Sequence, residues 1–269
     1  MSDKAFITKP ADRAEIGRGK GSAPRIILRG DIDFRRAQGI REAILRVIEE
    51  RHERVDVQLS GVVFVDSSGI SALVDSAKAA GEKGTGLVLV SPSRQLIHLL
   101  EISGFKPLFE FEELPKPAPP REREPAPFYW QVTNFVVPCD PELVADIRHR
   151  VAQIAGSLPF TSEEVEDIKL AVGEACANAF QYGCPRGRSD TVAVPCVGDR
   201  ESLTVEIEDL GPGLDPTAIP QPAPGSLQPG GRGIFFMRLT MDEVSFFRKE
   251  SGTLVRMVKY INQASEESR

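Results

Sequence analysis

The amino-acid sequence predicts an α/β protein of two domains, each with a mixed sheet and helices on its faces. Apolar residues with the two-residue period of strands alternate along the chain with apolar residues at helical spacing. Residues 114–127 contain the run PKPAPPREREPAP, which is dense in proline and charge and indicates a semi-extended linker. The chain on each side is long enough for one domain of common size. We therefore predict a flexible N-terminus at 1–22, a first domain at 23–113, the linker at 114–127 and a second domain at 128–262.

The composition narrows the classes of protein to which the chain can belong. It has 269 residues and a formal net charge of -6, which argues against a broad surface for nucleic acid. The sequence has no apolar stretch of about 18 residues, as a membrane span needs, and its polar start lacks the apolar segment of a secretion signal. We expect a cytoplasmic protein that contacts no membrane and no nucleic acid directly.

The cysteines form no pattern typical of a metal site or a disulfide framework. All four lie in the second half of the chain, and no two have CxxC spacing. We expect free thiols in the core or at the surface. The cysteines are Cys139, Cys176, Cys184 and Cys196.

The first predicted domain has strands and helices in an order typical of an α/β layer. Its helices carry apolar residues on one stripe, and its strands are rich in branched apolar residues. Ser91 or Ser93 is predicted to cap the last helix. The predicted elements are a strand at 25–30, a helix at 40–50, strands at 55–59 and 62–66, a helix from 67, a strand at 86–92 and a helix from 93.

The most informative spot in this domain is the turn Asp66-Ser67-Ser68-Gly69, where a strand meets a helix. Asp66 is placed to cap the helix, and Ser67 falls in its first turn with the hydroxyl exposed at the positive end of the helix. Free backbone N–H groups and the helix dipole would hold a phosphate added there. Plain helix capping explains the same residues, so both interpretations stay open on the motif alone.

Three motifs, RGDIDF, VVFVDSSGISALV and SPSRQLIHLLEISGF, resemble in order and spacing the STAS domains of anti-sigma-factor antagonists. The resemblance covers nearly the whole first domain and implies a STAS-like mixed sheet with helices. It implies that Ser67 is the phosphoacceptor, with Ser68 as the weaker candidate. Asp33 matches the aspartate of an early turn that lies near the phosphorylation site in that family.

The second predicted domain has a long helix that begins at a capping box, Thr161 with Glu164, and ends near Tyr182. On this helix Glu174 and Asn178 are four residues apart, so their side chains share one face. The amide oxygen of Asn178 is a hard ligand suited to Mg²⁺, and Glu174 can accept a proton from an attacking hydroxyl. Considered alone, such a pair is ordinarily a solvated helix face.

Two glycine turns follow this helix. The strand SLTVEIE ends at Asp209-Leu210-Gly211-Pro212-Gly213, where a ligand can approach the backbone and the carboxylate can accept a hydrogen bond from an amino group such as that of adenine. A proline-rich stretch consistent with a mobile cover leads to Gly230-Gly231-Arg232-Gly233, which opens a helix as phosphate-binding turns do. Arg232 can add charge there. Neither turn matches a Walker A or a dinucleotide-binding pattern.

The motifs EACAN, DLGPG and GGRG resemble in order the N, G1 and G2 boxes of the GHKL ATPase fold, and the later MDEV is similar to anti-sigma-factor serine kinases. The resemblance extends from about residue 135 to 260 and implies a GHKL-type ATPase α/β sandwich that binds ATP and Mg²⁺. It implies Glu174 as the general base, Asn178 as the Mg²⁺ ligand and Asp209 as the adenine contact. The implied cradle for the nucleotide consists of Gly211, Gly213, Gly231, Arg232 and Gly233.

The two resemblances together predict a partner-switching regulator of transcription, in which an ATP-dependent serine kinase is fused to an antagonist domain. The acceptor would be Ser67 or the matching serine of a separate STAS protein. The implied partners are a sigma factor, a STAS-domain protein and, by analogy, a second copy of the chain. The rival interpretation is a non-catalytic nucleotide-binding protein that sequesters a sigma factor or another regulator. Glu174 favours catalysis, because a protein that only binds would not need a base there.

Overall fold

The structure is a computed structural model, and it describes residues 14–18, 23–113, 131–213 and 232–261. The chain divides near residue 119 into two compact units, and each is described by itself. The predicted linker lies outside the described residues, so its bounds and those of the domains stay a prediction. None of the helices in the described ranges is long and apolar enough to cross a bilayer.

The first unit is a mixed sheet with helices, as predicted. Its five strands lie in the order of the chain, with the first pair antiparallel and the following pairs parallel. The elements are β1 (Ala14–Arg18), β2 (Pro24–Ile32), α1 (Ala37–Glu49), β3 (Arg54–Val65), α2 (Ser67–Glu82), β4 (Gly86–Val90), α3 (Arg94–Ile102) and β5 (Glu110–Glu112).

Two predictions about the strands of this unit are wrong. β1 lies inside the segment 1–22 that we predict to be flexible, and its backbone pairs with β2. The predicted strands at 55–59 and 62–66 form one continuous strand, β3, because the pairing with β2 shifts register where Gly61 lies opposite Arg29. A register shift of this kind absorbs the polar Ser60-Gly61 step without ending the strand.

The helix starts of this unit follow the predicted capping. The side chain of Asp66 accepts a hydrogen bond from the Gly69 N–H at the start of α2, and that of Ser93 accepts one from the Leu96 N–H at the start of α3. Apolar residues of α1 and α2 are buried, and the two helices pack against each other. The strand end of β3 and the start of α2 are thereby held in fixed positions.

The second unit is a five-stranded sheet with three α-helices in its described ranges. All four pairs of neighbouring strands are antiparallel, so the predicted mixed sheet is wrong for this unit. Two of these pairs are consecutive strands joined by short turns, a connection that makes neighbouring strands antiparallel. The elements are β6 (Gln131–Pro138), α4 (Val144–Gly156), α5 (Ser162–Tyr182), β7 (Thr191–Gly198), β8 (Ser202–Glu208), α6 (Arg232–Thr240), β9 (Glu243–Arg248) and β10 (Thr253–Tyr260).

The helix α5 lies at the centre of the second unit. It begins at the predicted capping box, in which the Glu164 N–H donates to Thr161 Oγ1 while Glu164 accepts from the Thr161 N–H. It ends at Tyr182 before Gly183, also as predicted. It contacts β8 and β10 of the sheet, α4 and α6. The residues of its second half are therefore fixed against most of the unit.

Candidate functional site

The second half of α5 carries the predicted pair of a carboxylate and an amide. Glu174 is only 4% exposed, although a glutamate is almost always a surface residue. Asn178 is partly exposed one turn further along. The pair is therefore not a solvated helix face, which was the ordinary explanation of the spacing.

The start of α6 lies directly against this pair. A Cβ atom placed on Gly233 would lie 2.5 Å from Glu174 Oε2 and 3.6 Å from Asn178 Nδ2. Any larger side chain would occupy the same space, so glycine keeps the backbone of the α6 start close to both side chains. The first-turn N–H groups of a helix such as α6 attract anions.

Asp209 follows β8 and is 7% exposed. Its Oδ1 accepts hydrogen bonds of 3.0 Å from the N–H groups of Gly211 and Thr253. No described residue donates a hydrogen bond to Asp209 Oδ2. Burial raises the pKa of this carboxyl, the two backbone donors lower it, and the neighbouring Glu208 raises it further. One carboxylate oxygen is thus held by the backbone, and the other can accept a hydrogen bond from a ligand.

The end of α5 is in contact with the turn that carries Asp209. A Cβ atom on Gly183 would collide with the Asp209 side chain, and one on Gly211 would lie 2.6 Å from the Gly183 Cα. The turn that carries Asp209 therefore packs against the end of α5 through glycine backbone. Because Gly233 lies against Glu174 and Asn178 on the same helix, both glycine turns adjoin the second half of α5.

The remaining predicted site residues are placed less tightly. Gly213 has a φ of +80°, which favours glycine, and its Cβ position lies 3.1 Å from the Gly252 carbonyl oxygen. Arg232 is the first residue of α6 and is partly exposed. Gly230, Gly231 and the proline-rich cover before them lie outside the described residues. The helix after the glycines is shorter than the pattern indicates, because VSFF belongs to β9.

The predicted phosphoacceptor turn has a different surrounding. Asp66 is 3% exposed and accepts hydrogen bonds of 2.8 Å at both oxygens, from Gly69 N–H and from Phe34 N–H. The second bond ties the loop after β2 to the start of α2. Ser67 is buried, at 6% exposure, so the expectation of an exposed hydroxyl is wrong. Ser68 is partly exposed.

Asp33 lies beside this turn, in the loop that Phe34 holds to Asp66. It is 4% exposed, accepts a hydrogen bond of 2.7 Å from Arg35 Nε and forms an ion pair with the same guanidinium. Its place near Ser67 agrees with what the resemblance to STAS domains implies. Its burial excludes the simpler explanation that it is a solvent-facing loop residue.

The structure contains one disulfide among the described residues that the sequence did not indicate, between Cys139 and Cys184. The expectation of free thiols is therefore wrong for this pair and holds for Cys176 and Cys196, which are free and buried. Burial raises the pKa of both remaining thiols to about 12. The bonded cysteines are 45 residues apart in sequence, so only the fold brings them together.

The described residues contain no group of three or more His, Cys, Asp or Glu side chains that could hold a metal ion. A divalent cation at Asn178 would therefore need further ligands from a bound molecule. This is the way Mg²⁺ is commonly held beside nucleotide phosphates, with few protein ligands and several from phosphate and water.

Two family models match the chain, one in each unit. The model of the STAS domain matches residues 20–116. The model described as a histidine kinase-like ATPase domain matches residues 137–259 and so includes all three motifs of the candidate site.

Similar proteins of known name match the second unit. The serine-protein kinase RsbW of Bacillus subtilis is 33% identical over 134 residues, which is 47% of this chain and 83% of that protein. The RsbW of Bacillus pumilus is 33% identical over 142 residues, 47% of this chain and 84% of that protein. Among solved structures, an anti-sigma factor antagonist from Mycobacterium paratuberculosis has 22% identity and a TM-score of 0.33, covering 40% of this chain and 91% of that one.

Proposed function

The chain belongs to the family of RsbW-like serine-protein kinases with a histidine kinase-like ATPase domain, preceded by a STAS domain, and on that premise we propose that it is an ATP-dependent protein serine kinase. One observation carries the proposal. Two segments that are distant in sequence lie against α5: the start of α6 at Gly233 adjoins Glu174 and Asn178, and the Asp209 turn adjoins Gly183 at the end of the same helix.

Asp209 and the start of α6 are the proposed binding groups for the two ends of ATP. Oδ2 of Asp209, to which no described residue donates, would accept a hydrogen bond from the amino group of adenine. The N–H groups at the start of α6 would donate to the phosphates, with Gly233 giving them room. Arg232 and Gly231 complete the proposed cradle. Mg²⁺ held by Asn178 and the phosphates would neutralise negative charge on the phosphates.

Glu174 is the proposed general base. Its burial beside Gly233 places the carboxylate next to the proposed phosphate site. As the hydroxyl oxygen of a serine bonds to the γ-phosphorus, the bond to the ADP oxygen breaks and Glu174 takes the hydroxyl proton. Most of the rate enhancement in such reactions comes from positioning and charge, so a rigid α5 serves the chemistry.

Ser67 is the proposed acceptor, in the same chain or in a second copy. Because Ser67 is buried, transfer requires it to become exposed, and the proposed opening is release of the neighbouring loop that Phe34 ties to Asp66. A phosphate at Ser67 would then add negative charge next to the buried Asp66 and Asp33 carboxylates. That repulsion would prevent the loop from closing and change the surface offered to a partner.

The proposed partners are a sigma factor and a STAS-domain protein, which the kinase domain would bind in turn according to the phosphorylation state of the STAS surface. With these partners, the proposed location of the protein is the cytoplasm. A homodimer of the chain is part of this proposal. The second candidate function, a binding protein without transfer, is less favoured because a buried carboxylate at the proposed phosphate site is costly to keep without a role.

The test is transfer of labelled phosphate from ATP with Mg²⁺ to the full chain, followed by mapping of the labelled peptide. We expect label at Ser67, loss of label in Ser67→Ala, and retention in the matched control Ser68→Ala. Glu174→Gln keeps the shape of the base and should reduce transfer about 100-fold or more while ATP still binds. ATP binding without label in any condition, including with an added STAS protein, would favour the binding protein instead.

A further inference from the structure

The disulfide between Cys139 and Cys184 lies next to the candidate nucleotide site. Cys139 follows β6 and is 3% exposed, and its sulfur lies 4.0 Å from the carbonyl oxygen of Phe180 in the last turn of α5. Cys184 is partly exposed and comes directly after Gly183, the residue that ends α5. The bond therefore ties the end of α5 to the sheet.

Gly183 connects the bonded cysteine to the adenine side of the site. Its Cα lies against the Asp209 side chain and the backbone of Gly211, with no room for a Cβ atom on either side. A change in the position of Gly183 must therefore move Asp209 or open a gap beside it. This contact is made by the residue that directly precedes Cys184.

We propose that the Cys139–Cys184 disulfide is a thiol-sensitive switch that sets nucleotide affinity by fixing the end of α5 against Asp209. In the bonded form the carboxylate is held ready for a ligand. In the reduced form the last turn of α5 is free to fray, as helix ends do, and the contact between Gly183 and Asp209 loosens. This inference rests on the proposed function, because it takes the Asp209 turn as the nucleotide site.

The reductant is a dithiol, and the exchange balances in two steps. A thiolate of the dithiol attacks Sγ of the partly exposed Cys184, and Cys139 leaves as a thiolate that takes up a proton. The second thiol of the reductant then attacks the mixed disulfide and releases Cys184 as a thiolate, which is also protonated. The protein gains two electrons and two protons, and the dithiol is oxidised to a cyclic disulfide. An oxidised dithiol reverses the sequence.

Other contacts at this place limit the size of the effect. The Cys139 N–H still donates a 2.9 Å hydrogen bond to the Asp190 carbonyl, and Arg188 forms an ion pair with Asp140. Arg188 is 72% exposed, so its ion pair contributes little. We therefore expect reduction to lower nucleotide affinity about tenfold, the factor that corresponds to fixing the backbone of one additional residue on binding, rather than to abolish it.

The test compares ATP affinity of the full chain by calorimetry, oxidised and after treatment with dithiothreitol. Alkylation after unfolding reports the state of the bond, with two thiols modified in the oxidised chain and four in the reduced chain. We expect weaker binding after reduction in the wild type, the same weak binding in Cys184→Ser in both conditions, and unchanged sensitivity to reduction in the matched control Cys196→Ala. Hydrogen exchange at 179–183 should speed up on reduction.

The outcomes separate this inference from the proposed function. Equal ATP affinity in the oxidised and reduced chain overturns the switch and leaves the kinase proposal standing. Four reactive thiols after treatment with oxidised dithiothreitol overturn it as well. Absence of ATP binding in both states overturns the proposed function, and the switch falls with it.

Discussion

Asp66 and Asp209 each lie at the end of a strand, one in each unit, but their carboxylate oxygens are hydrogen-bonded differently. Each directly follows a strand, and each is buried. Asp66 has both oxygens occupied by backbone donors that belong to its own unit. Asp209 receives both of its described backbone donors on Oδ1, and no described residue donates to its Oδ2, which we propose binds a ligand. Burial alone therefore does not mark a buried carboxylate as a binding residue.

The difference teaches that the distribution of hydrogen bonds between two oxygens separates a structural carboxylate from a binding one. A carboxylate with hydrogen bonds at both oxygens stabilises a turn, so its removal lowers the free energy of unfolding. A half-occupied carboxylate costs stability because it is desolvated without full compensation, and its loss appears in ligand affinity.

The largest effect is expected for Asp66→Ala. This change removes a helix cap and leaves the partly buried Phe34 N–H without its acceptor, so the first unit should lose about 2–4 kcal/mol of unfolding free energy. Chemical denaturation of the full chain measures this loss as an earlier first transition. ATP affinity should stay that of the wild type; a matching drop in affinity would break the comparison.

The next effect is expected for Asp209→Asn. The amide oxygen can still accept from the Gly211 and Thr253 N–H groups, but the amide –NH₂ at the other position cannot accept a hydrogen bond. ATP affinity should fall about 10- to 100-fold, as for the loss of a hydrogen bond to a charged group. Calorimetric titration measures it. The unfolding free energy should change by less than about 1 kcal/mol, and a larger loss would assign Asp209 to the structural class.

A smaller effect is expected from pH. The pKa of Asp209 is raised, chiefly by burial, so its ionised form lowers the stability of the folded state at neutral pH, and this penalty disappears as pH falls through the raised pKa. ATP affinity should decrease over the same range, because protonation occupies the free oxygen. Titrations from neutral pH downwards, through the raised pKa of Asp209, measure the decrease. Protonation of the ATP phosphates also changes affinity, and Asp209→Asn measures that part alone because the variant has no carboxyl at this position. The same pH profile in the wild type and in this variant would contradict the assignment.

The smallest effect is expected for Arg35→Ala. Loss of the ion pair with Asp33 should lower the stability of the first unit by about 1 kcal/mol or less, because the arginine is partly exposed. It should also loosen the loop over Ser67 and increase the rate of its labelling by the kinase domain. Arg41→Ala, which removes an exposed ion pair with Asp75, is the matched control and should leave labelling unchanged.

Much of the local structure could be predicted from short stretches of sequence. The capping box at Thr161, the caps at Asp66 and Ser93, and the end of α5 all follow from a few neighbouring residues, and the structure confirms them. The motifs EACAN, DLGPG and GGRG were found as candidates because their residue types suit nucleotide chemistry. Their meeting at Gly233 and Gly183 depends on how α5 packs between α4 and α6, which no short pattern contains.

Features that depend on distant pairing could not be predicted in this way. The strand β1 is held by its pairing with β2 rather than by its own polar sequence. The hydrogen bond that ties the loop at Phe34 to the start of α2 joins residues 32 positions apart, Phe34 and Asp66. The disulfide joins cysteines on two segments that are neighbours only in space.

The central claim, that the three motifs form one site for ATP with Mg²⁺, is tested most directly by calorimetric titration of the full chain with ATP in the presence and absence of Mg²⁺. Asn178→Ala is compared with Asn134→Ala, which changes an exposed asparagine on β6. We predict one ATP per chain, weaker binding when Mg²⁺ is chelated, and the same weak binding with or without Mg²⁺ in Asn178→Ala alone. No uptake of ATP by the wild type, or full Mg²⁺ dependence in Asn178→Ala, would contradict the claim.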